Sequence, residues 1–266
     1  MNRERPLEGR GAVVTGGGRG IGAAIARRLS AAGAAVVVCA RTEAEIGAVA
    51  DELGERGGRA RAIPCDVTDA AAVDMLAREA VEWLGEADLA PDILVNNAGG
   101  ASSAPIASLT LETWNEMLAV NATSTFLCTQ ALLDGMMQRG WGRVINVASV
   151  AALSGARYIA AYAAAKHAVL GFTRCAAAEA GARGVTVNAV CPGYADTPMT
   201  DRTIERIASK TGRSREQALD SILAAGPQRR LIAPDEVAHA VLALVAEEAH
   251  GINGQAIVID GGGRLT

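Results

Sequence analysis

Apolar residues along this chain gather in short β-branched runs, separated by longer alanine-rich stretches with helical spacing. The runs "GAVVT" (11–15), "AAVVVCA" (34–40), "RAIPCD" (61–66), "DILVNN" (92–97), "GRVINVAS" (142–149), "GVTVNAVCP" (184–192) and "QAIVID" (255–260) read as strands. Most are near-continuous rather than alternating, the pattern of strands covered on both faces. Between them lie helices of about 12 to 25 residues, lengths that suit crossovers. Seven strands alternating with helices predict an α/β fold, a doubly wound seven-stranded parallel sheet with helices on both faces. No repeat, linker or break in composition divides the chain, so one domain over residues 1–266 is expected.

One segment departs from this rhythm. Between the strand ending at Pro192 and the helix starting near Pro234 lie about forty residues without a strand. "SREQ" (214–217) has capping-box spacing, and Gly226-Pro227 stops the helix that follows. A small helical insertion over about 194–232 is expected at the carboxyl ends of the strands, where open α/β sheets bind ligands, so it reads as a lid.

The chemistry starts at "TGGGRGIG" (15–22), between the first strand and the first helix. Gly16, Gly20 and Gly22, with Ile21 between the last two, let the backbone turn tightly and bring a pyrophosphate onto the free N–H groups of the helix N-terminus. At the end of the second strand an acid would bond the 2′-hydroxyl of NAD, and an arginine would accommodate the 2′-phosphate of NADP. Cys39 and Ala40 bring no acid there, Arg41 follows, and Arg19 in the glycine turn is a second cation. The pattern favours NADP(H) over NAD(H).

Composition narrows the field. A net charge of −4 with acids and bases interspersed argues against a nucleic-acid surface. Five scattered cysteines without a C-x-x-C pair, and only three histidines, offer no zinc spacing and read as reduced thiols of a cytoplasmic protein. The first ten residues are charged and no apolar run has membrane-spanning length, so a soluble protein without a signal peptide is expected. The alanine-rich run 157–169 carries Tyr162 and Lys166 one helical turn apart on one face; Tyr158 is two turns from the lysine.

The motif set as a whole resembles the short-chain dehydrogenase/reductase family, of the compact single-domain, Rossmann-like kind. It comprises the glycine turn, "CDVTD" after the third strand, "NNAG" (96–99), Asn121, Ser149, "YAAAK" (162–166) and "PGYADTP" (192–198), in the family's order over residues 11 to 263. The resemblance implies that Asp66 bonds the adenine amine beside Val67, and that Asn97, Ala98 and Gly99 line the cofactor. It further implies that Asn121 holds a water in a proton relay, Ser149 bonds the substrate oxygen and Tyr162 is the acid/base. Lys166 would bond the nicotinamide ribose, and Thr197 with Pro192-Gly193 would orient the carboxamide. A free phenol has a pKa of about 10, so the neighbouring ammonium, together with the positive nicotinamide ring of the oxidised cofactor, is expected to lower that of Tyr162.

By the same resemblance the chain is expected to be an NADPH-dependent carbonyl reductase acting on a 3-oxoacyl thioester or similar ketone, as a homotetramer. "PQRRLIAPDEVA" (227–238) looks most like 3-oxoacyl-thioester reductases, hydroxyacyl-CoA dehydrogenases and polyketide ketoreductases. The rival is a secondary-alcohol, sugar or steroid dehydrogenase using the same residues; a non-enzymatic nucleotide sensor is disfavoured by the intact Asn-Ser-Tyr-Lys set. Arg202, Arg206, Lys210 and Arg213 fall near one face of the insertion, where a solvated stripe and a contact for a CoA-type carrier both remain open. Structural roles are expected for His167, Trp83, Trp114 and Trp141, and exposed positions for His239 and His250.

Overall fold

The computed structural model describes residues 5–224 and 226–264. Its frame is one sheet of seven strands in the order β3-β2-β1-β4-β5-β6-β7, with every neighbouring pair parallel. The strands are β1 (Gly11–Thr15), β2 (Ala35–Ala40), β3 (Ala60–Pro64), β4 (Pro91–Asn96), β5 (Gly142–Val147), β6 (Val185–Pro192) and β7 (Ala256–Ile259). All seven lie where the apolar runs predict them, with boundaries shifted by a residue or two.

The nine α-helices of the described residues are α1 (Gly20–Ala31), α2 (Glu43–Glu55), α3 (Ala70–Gly85), α4 (Leu111–Leu118), α5 (Ser124–Arg139), α6 (Ala160–Ala180), α7 (Pro198–Thr211), α8 (Arg215–Leu223) and α9 (Pro234–Val245). One face of the sheet carries α1, α2 and α9, and the other α3, α5 and α6. The strand period of two sorts side chains between them. Val36 and Val38 of β2 enter the first layer, while Ala35, Val37 and Cys39 enter the second. This double burial is why the strands lack a polar face.

The first three strands step outward from β1 in one direction, and β4 starts again on its other side. That reversal opens a crevice at the carboxyl ends of β1 and β4, the usual ligand position in such sheets. The inserted segment after β6 forms α7 and α8 and a small apolar core of its own from Ile204, Ala218 and Ile222. Ser214 caps α8 in a capping box with Gln217, as the spacing predicts. Arg206 of α7 donates to the backbone and side chain of Ser103, at 3.5 and 3.3 Å, tying the insertion to the loop after β4.

Candidate active site

The glycine turn after β1 is built for close approach. Gly16 has a φ of +63°, and a Cβ there would come within 2.9 Å of the Ala98 backbone. A Cβ on Gly22 would collide with the carbonyl of Gly16 and the amide nitrogen of Asn97. These two positions admit only glycine, and they leave the N-terminus of α1 uncovered, where Arg19 supplies no capping side chain. Free N–H groups facing a turn without side chains fit a pyrophosphate.

Thr15, the last residue of β1, welds this turn to the one after β4. Its hydroxyl accepts from the N–H groups of Asn97 and Ala98, both at 3.0 Å, and donates to the Val95 carbonyl. The Asn97 amide in turn donates to the carbonyls of Thr15 and Gly16, at 2.9 and 3.1 Å. In the sequence, the place of Thr15 at a strand end beside the glycines is the signal that marks it.

At the outer end of the crevice stand Arg41, Asp66 and Val67. The N–H and hydroxyl of Thr68 donate to Asp66 at 3.0 and 2.8 Å, and with the nearby Arg41 guanidinium they hold its carboxyl below the usual range. Val67 is buried against the α3 layer. Arg41 makes no ion pair among the described residues, whereas Arg19 is paired with Glu45.

At the inner end, four elements converge. Asn121 lies in a π-helical turn, Ala119–Thr123, between α4 and α5, and not in a regular helix as the sequence implied. Its amide donates to the carbonyls of Gly100 and Met117, and its Oδ1 accepts from the Gly100 N–H. Ser149 stands two residues past β5, not at its end, and caps a short turn by accepting from the Ala151 N–H at 3.1 Å. Tyr162 and Lys166 project from α6 as their spacing predicts, with Nζ 5.9 Å from the phenol ring centre. Gly99 lies between the strands' ends and this group: a Cβ there would sit 2.7 Å from Oδ1 of Asn121 and 3.6 Å from Nζ of Lys166.

The ammonium's part in the expected Tyr162 shift is corrected. The Lys166 ammonium donates to the Val147 carbonyl at 2.8 Å and does not bond the phenol. Burial raises the pKa of Tyr162, opposed by the Ser149 hydroxyl, and burial brings that of Lys166 down to about 8. In the protein alone, desolvation outweighs the ammonium. A lowered phenol pKa therefore needs further positive charge beside the ring. Cys191, under the same group, is a buried neighbour that the sequence did not single out; burial pushes its thiol up to about 11.

The loop after β6 closes the inner wall. The Gly193 N–H donates to Ile259 at 2.9 Å, and Thr197, at the N-terminus of α7, reaches the glycine turn, 3.2 Å from where a Cβ on Gly20 would lie. Ile21 packs into the α1 layer. Tyr158 stands apart from the group: it is 57% exposed with a φ of +71°, and its carbonyl accepts from the Ala104 N–H. His167 bonds back to the Ala163 carbonyl, away from the crevice, and His239 and His250 are exposed.

Residues 10–208 match the family described as short chain dehydrogenase. The chain is 39% identical over 253 residues to a putative ketoacyl reductase of Streptomyces coelicolor, covering 94% of this chain and 95% of that protein. It is 38% identical over 257 residues to D-beta-hydroxybutyrate dehydrogenase of Cupriavidus necator, covering 96% and 98%. It is also similar to the crystal structure of a point variant of actinorhodin polyketide ketoreductase with NADPH, at a TM-score of 0.91 and 39% identity, covering 95% of this chain and 96% of that one. With the crevice, its two fused turns and matches over nearly the whole length in hand, the conclusion is direct: the chain belongs to the short-chain dehydrogenase family.

Proposed function

We propose that the protein is an NADPH-dependent reductase of neutral ketones, with 3-oxoacyl thioesters as the favoured class. The observation that carries this reading is the convergence of Ser149, Tyr162 and Lys166 at the inner end of a crevice whose outer end offers Arg41 and no acid on β2. The glycine turn at Gly16, Gly20, Ile21 and Gly22 with the N-terminus of α1 would hold the pyrophosphate, Asp66 and Val67 the adenine, and Arg41 with Arg19 the 2′-phosphate. Asn97, Ala98 and Gly99 would line the middle, and Pro192, Gly193 and Thr197 the nicotinamide. When bound, NADPH supplies the hydride.

The chain's own groups supply the proton. Ser149 donates a hydrogen bond to the substrate oxygen, and Tyr162 transfers its proton to that oxygen as negative charge develops there. A buried phenol whose pKa is raised stays protonated at neutral pH, which suits a proton donor. Lys166, fixed by Val147, presents its ammonium beside the ring and would return a proton to the phenolate, with Asn121 placed to hold a water that reprotonates the lysine.

The similarity to ketoacyl and polyketide ketoreductases supports the thioester class, while the similarity to a hydroxybutyrate dehydrogenase favours free 3-hydroxy acids as a second reading. Arg202, Lys210 and Arg213 are exposed on and just beyond α7, in place to meet a phosphate-bearing carrier. The exposed Phe126 of α5 packs edge-on against Phe172 of α6, at 6.0 Å, and supports pairing of copies through these helices in a tetramer. No helix among the described residues is long and apolar enough to cross a membrane. The test is kcat/KM for NADPH and NADH on a 3-oxoacyl-CoA, a carrier-free ketone and a 3-oxo acid. Preference for NADPH and the thioester supports the reading; faster turnover of the free acid hands it to the second.

A further inference from the structure

The glycine turn and the first turn of α2 meet at an acid that the cofactor assignment leaves unused. Oε1 of Glu45 accepts from Nη1 of Arg19 at 2.8 Å, in a pair whose side chains are 56% (Arg19) and 34% (Glu45) exposed. The acid is held there by packing. A Cβ on Gly18 would come within 2.9 Å of the Glu45 Cβ, so only glycine lets α2 press this closely on the turn. The next residue, Ile46, is fully buried in the α1 layer, and the Glu45 N–H donates to Thr42, the neighbour of Arg41. The Glu45 side chain can rotate, but its backbone cannot withdraw from the two arginines.

We propose that Glu45 is a specificity-determining residue: it competes with a ribose 2′-phosphate for Arg19, and so limits how strongly the protein favours NADP(H) over NAD(H). This inference rests on the reading of Arg19 and Arg41 as the 2′-phosphate contacts. A phosphate that reaches Arg19 must displace the carboxylate or share the guanidinium with it, and a fixed negative neighbour opposes both. A 2′-hydroxyl carries no charge and meets no such opposition. The pair is partly solvated, so removing its competition should change phosphate affinity only about two- to fivefold.

The experiment measures binding without turnover. Adenosine 2′,5′-bisphosphate and 5′-AMP are titrated calorimetrically into the wild type, Glu45→Gln, Arg19→Ala, the double variant and Arg41→Ala, each checked by thermal melting. Glu45→Gln, which keeps the side-chain shape, should bind the bisphosphate about two- to fivefold more tightly and 5′-AMP unchanged. That gain should largely vanish when Arg19 is already alanine. Weaker bisphosphate binding by Glu45→Gln, equal tightening of both probes, or no change in either overturns the inference. In those cases a wild-type preference for the bisphosphate that falls in Arg41→Ala leaves the cofactor reading standing. A wild type with no such preference, unaltered by Arg41→Ala, overturns the cofactor reading and the inference with it.

Discussion

At the carboxyl edge of the sheet Lys166 is 5% exposed; at the amino edge Arg143, the second residue of β5, is 1% exposed. Burial lowers the pKa of both cations. Their surroundings differ. Lys166 bonds a single carbonyl, its ammonium lies 5.9 Å from the centre of the Tyr162 ring, and Ser149, from a separate element, lies against that phenol. Arg143 bonds the carbonyls of Gly142 and Gly184 and lies 4.4 Å from the centre of the Trp141 ring, while Arg10 stacks on the same ring at 3.6 Å. The nearby acids are already engaged: Glu247 accepts from Trp141, and Asp92 pairs with Arg10 and Arg139. A buried charge alone therefore does not mark a reactive site. What marks the carboxyl edge is a proton donor and hydrogen-bonding groups left facing a crevice.

The comparison breaks first at Tyr162. Tyr162→Phe keeps the ring and loses the proton donor, so kcat for ketone reduction should fall about 10³-fold or more, at the upper end for general acid loss. NADPH binding, followed by fluorescence titration, should stay near wild type. Tyr158→Phe should retain most activity. Comparable losses in the two variants would remove Tyr162 from its assigned place.

Paired substitutions of the two cations sharpen the contrast. Lys166→Met should reduce kcat/KM by about 10²-fold, within the usual range for acid–base machinery, without unfolding the protein. Arg143→Ala should instead act on stability alone, through lost packing on Trp141 and two lost carbonyl partners, with kcat unchanged in the folded fraction. Chemical denaturation and initial rates read both. A kinetic defect in Arg143→Ala at full folding would erase the distinction between the edges.

Arg41→Ala should raise KM for NADPH about tenfold, the loss of a charge-assisted contact, and leave KM for NADH nearly unchanged. Equal effects on both cofactors would move the 2′-phosphate elsewhere.

A further effect is on stability against pH. Lys166 titrates near 8 in the folded protein against an ordinary value of 10.5, so the unfolded chain binds more protons between these values. The cost of burying the ammonium is present in full below about pH 8 and is relieved as pH rises toward 10.5. Wild-type stability should therefore gain over this window relative to Lys166→Met, as measured by urea unfolding at pH 7.5 and 9.5. Parallel curves would show that the lysine is solvated.

The strands and the Tyr162–Lys166 face were legible in the sequence because periodicity reports both directly: burial on two faces leaves apolar runs, and four residues make one helical turn. The π-helical turn at Asn121 was not, since its extra residue per turn has no fixed sequence mark. Neither was the Arg19–Glu45 pair, whose members are 26 residues apart and meet only because Gly18 lets α2 approach. The part of the ammonium in the Tyr162 shift was overestimated for a related reason. Spacing placed the ammonium near the phenol, but only the fold shows it turned to Val147 and both groups desolvated.

Hydride transfer itself tests the account most directly. Wild-type protein is mixed with NADPH deuterated at C4 of the nicotinamide, on each face in turn, and with a 3-oxobutyryl thioester, and the product is analysed by mass spectrometry and NMR. The account predicts one deuterium at C3 of a 3-hydroxybutyryl thioester from one of the two labelled cofactors, and loss of that product with Tyr162→Phe. Unconsumed NADPH with the thioester, alongside fast oxidation of a free hydroxy acid by NAD, would contradict it.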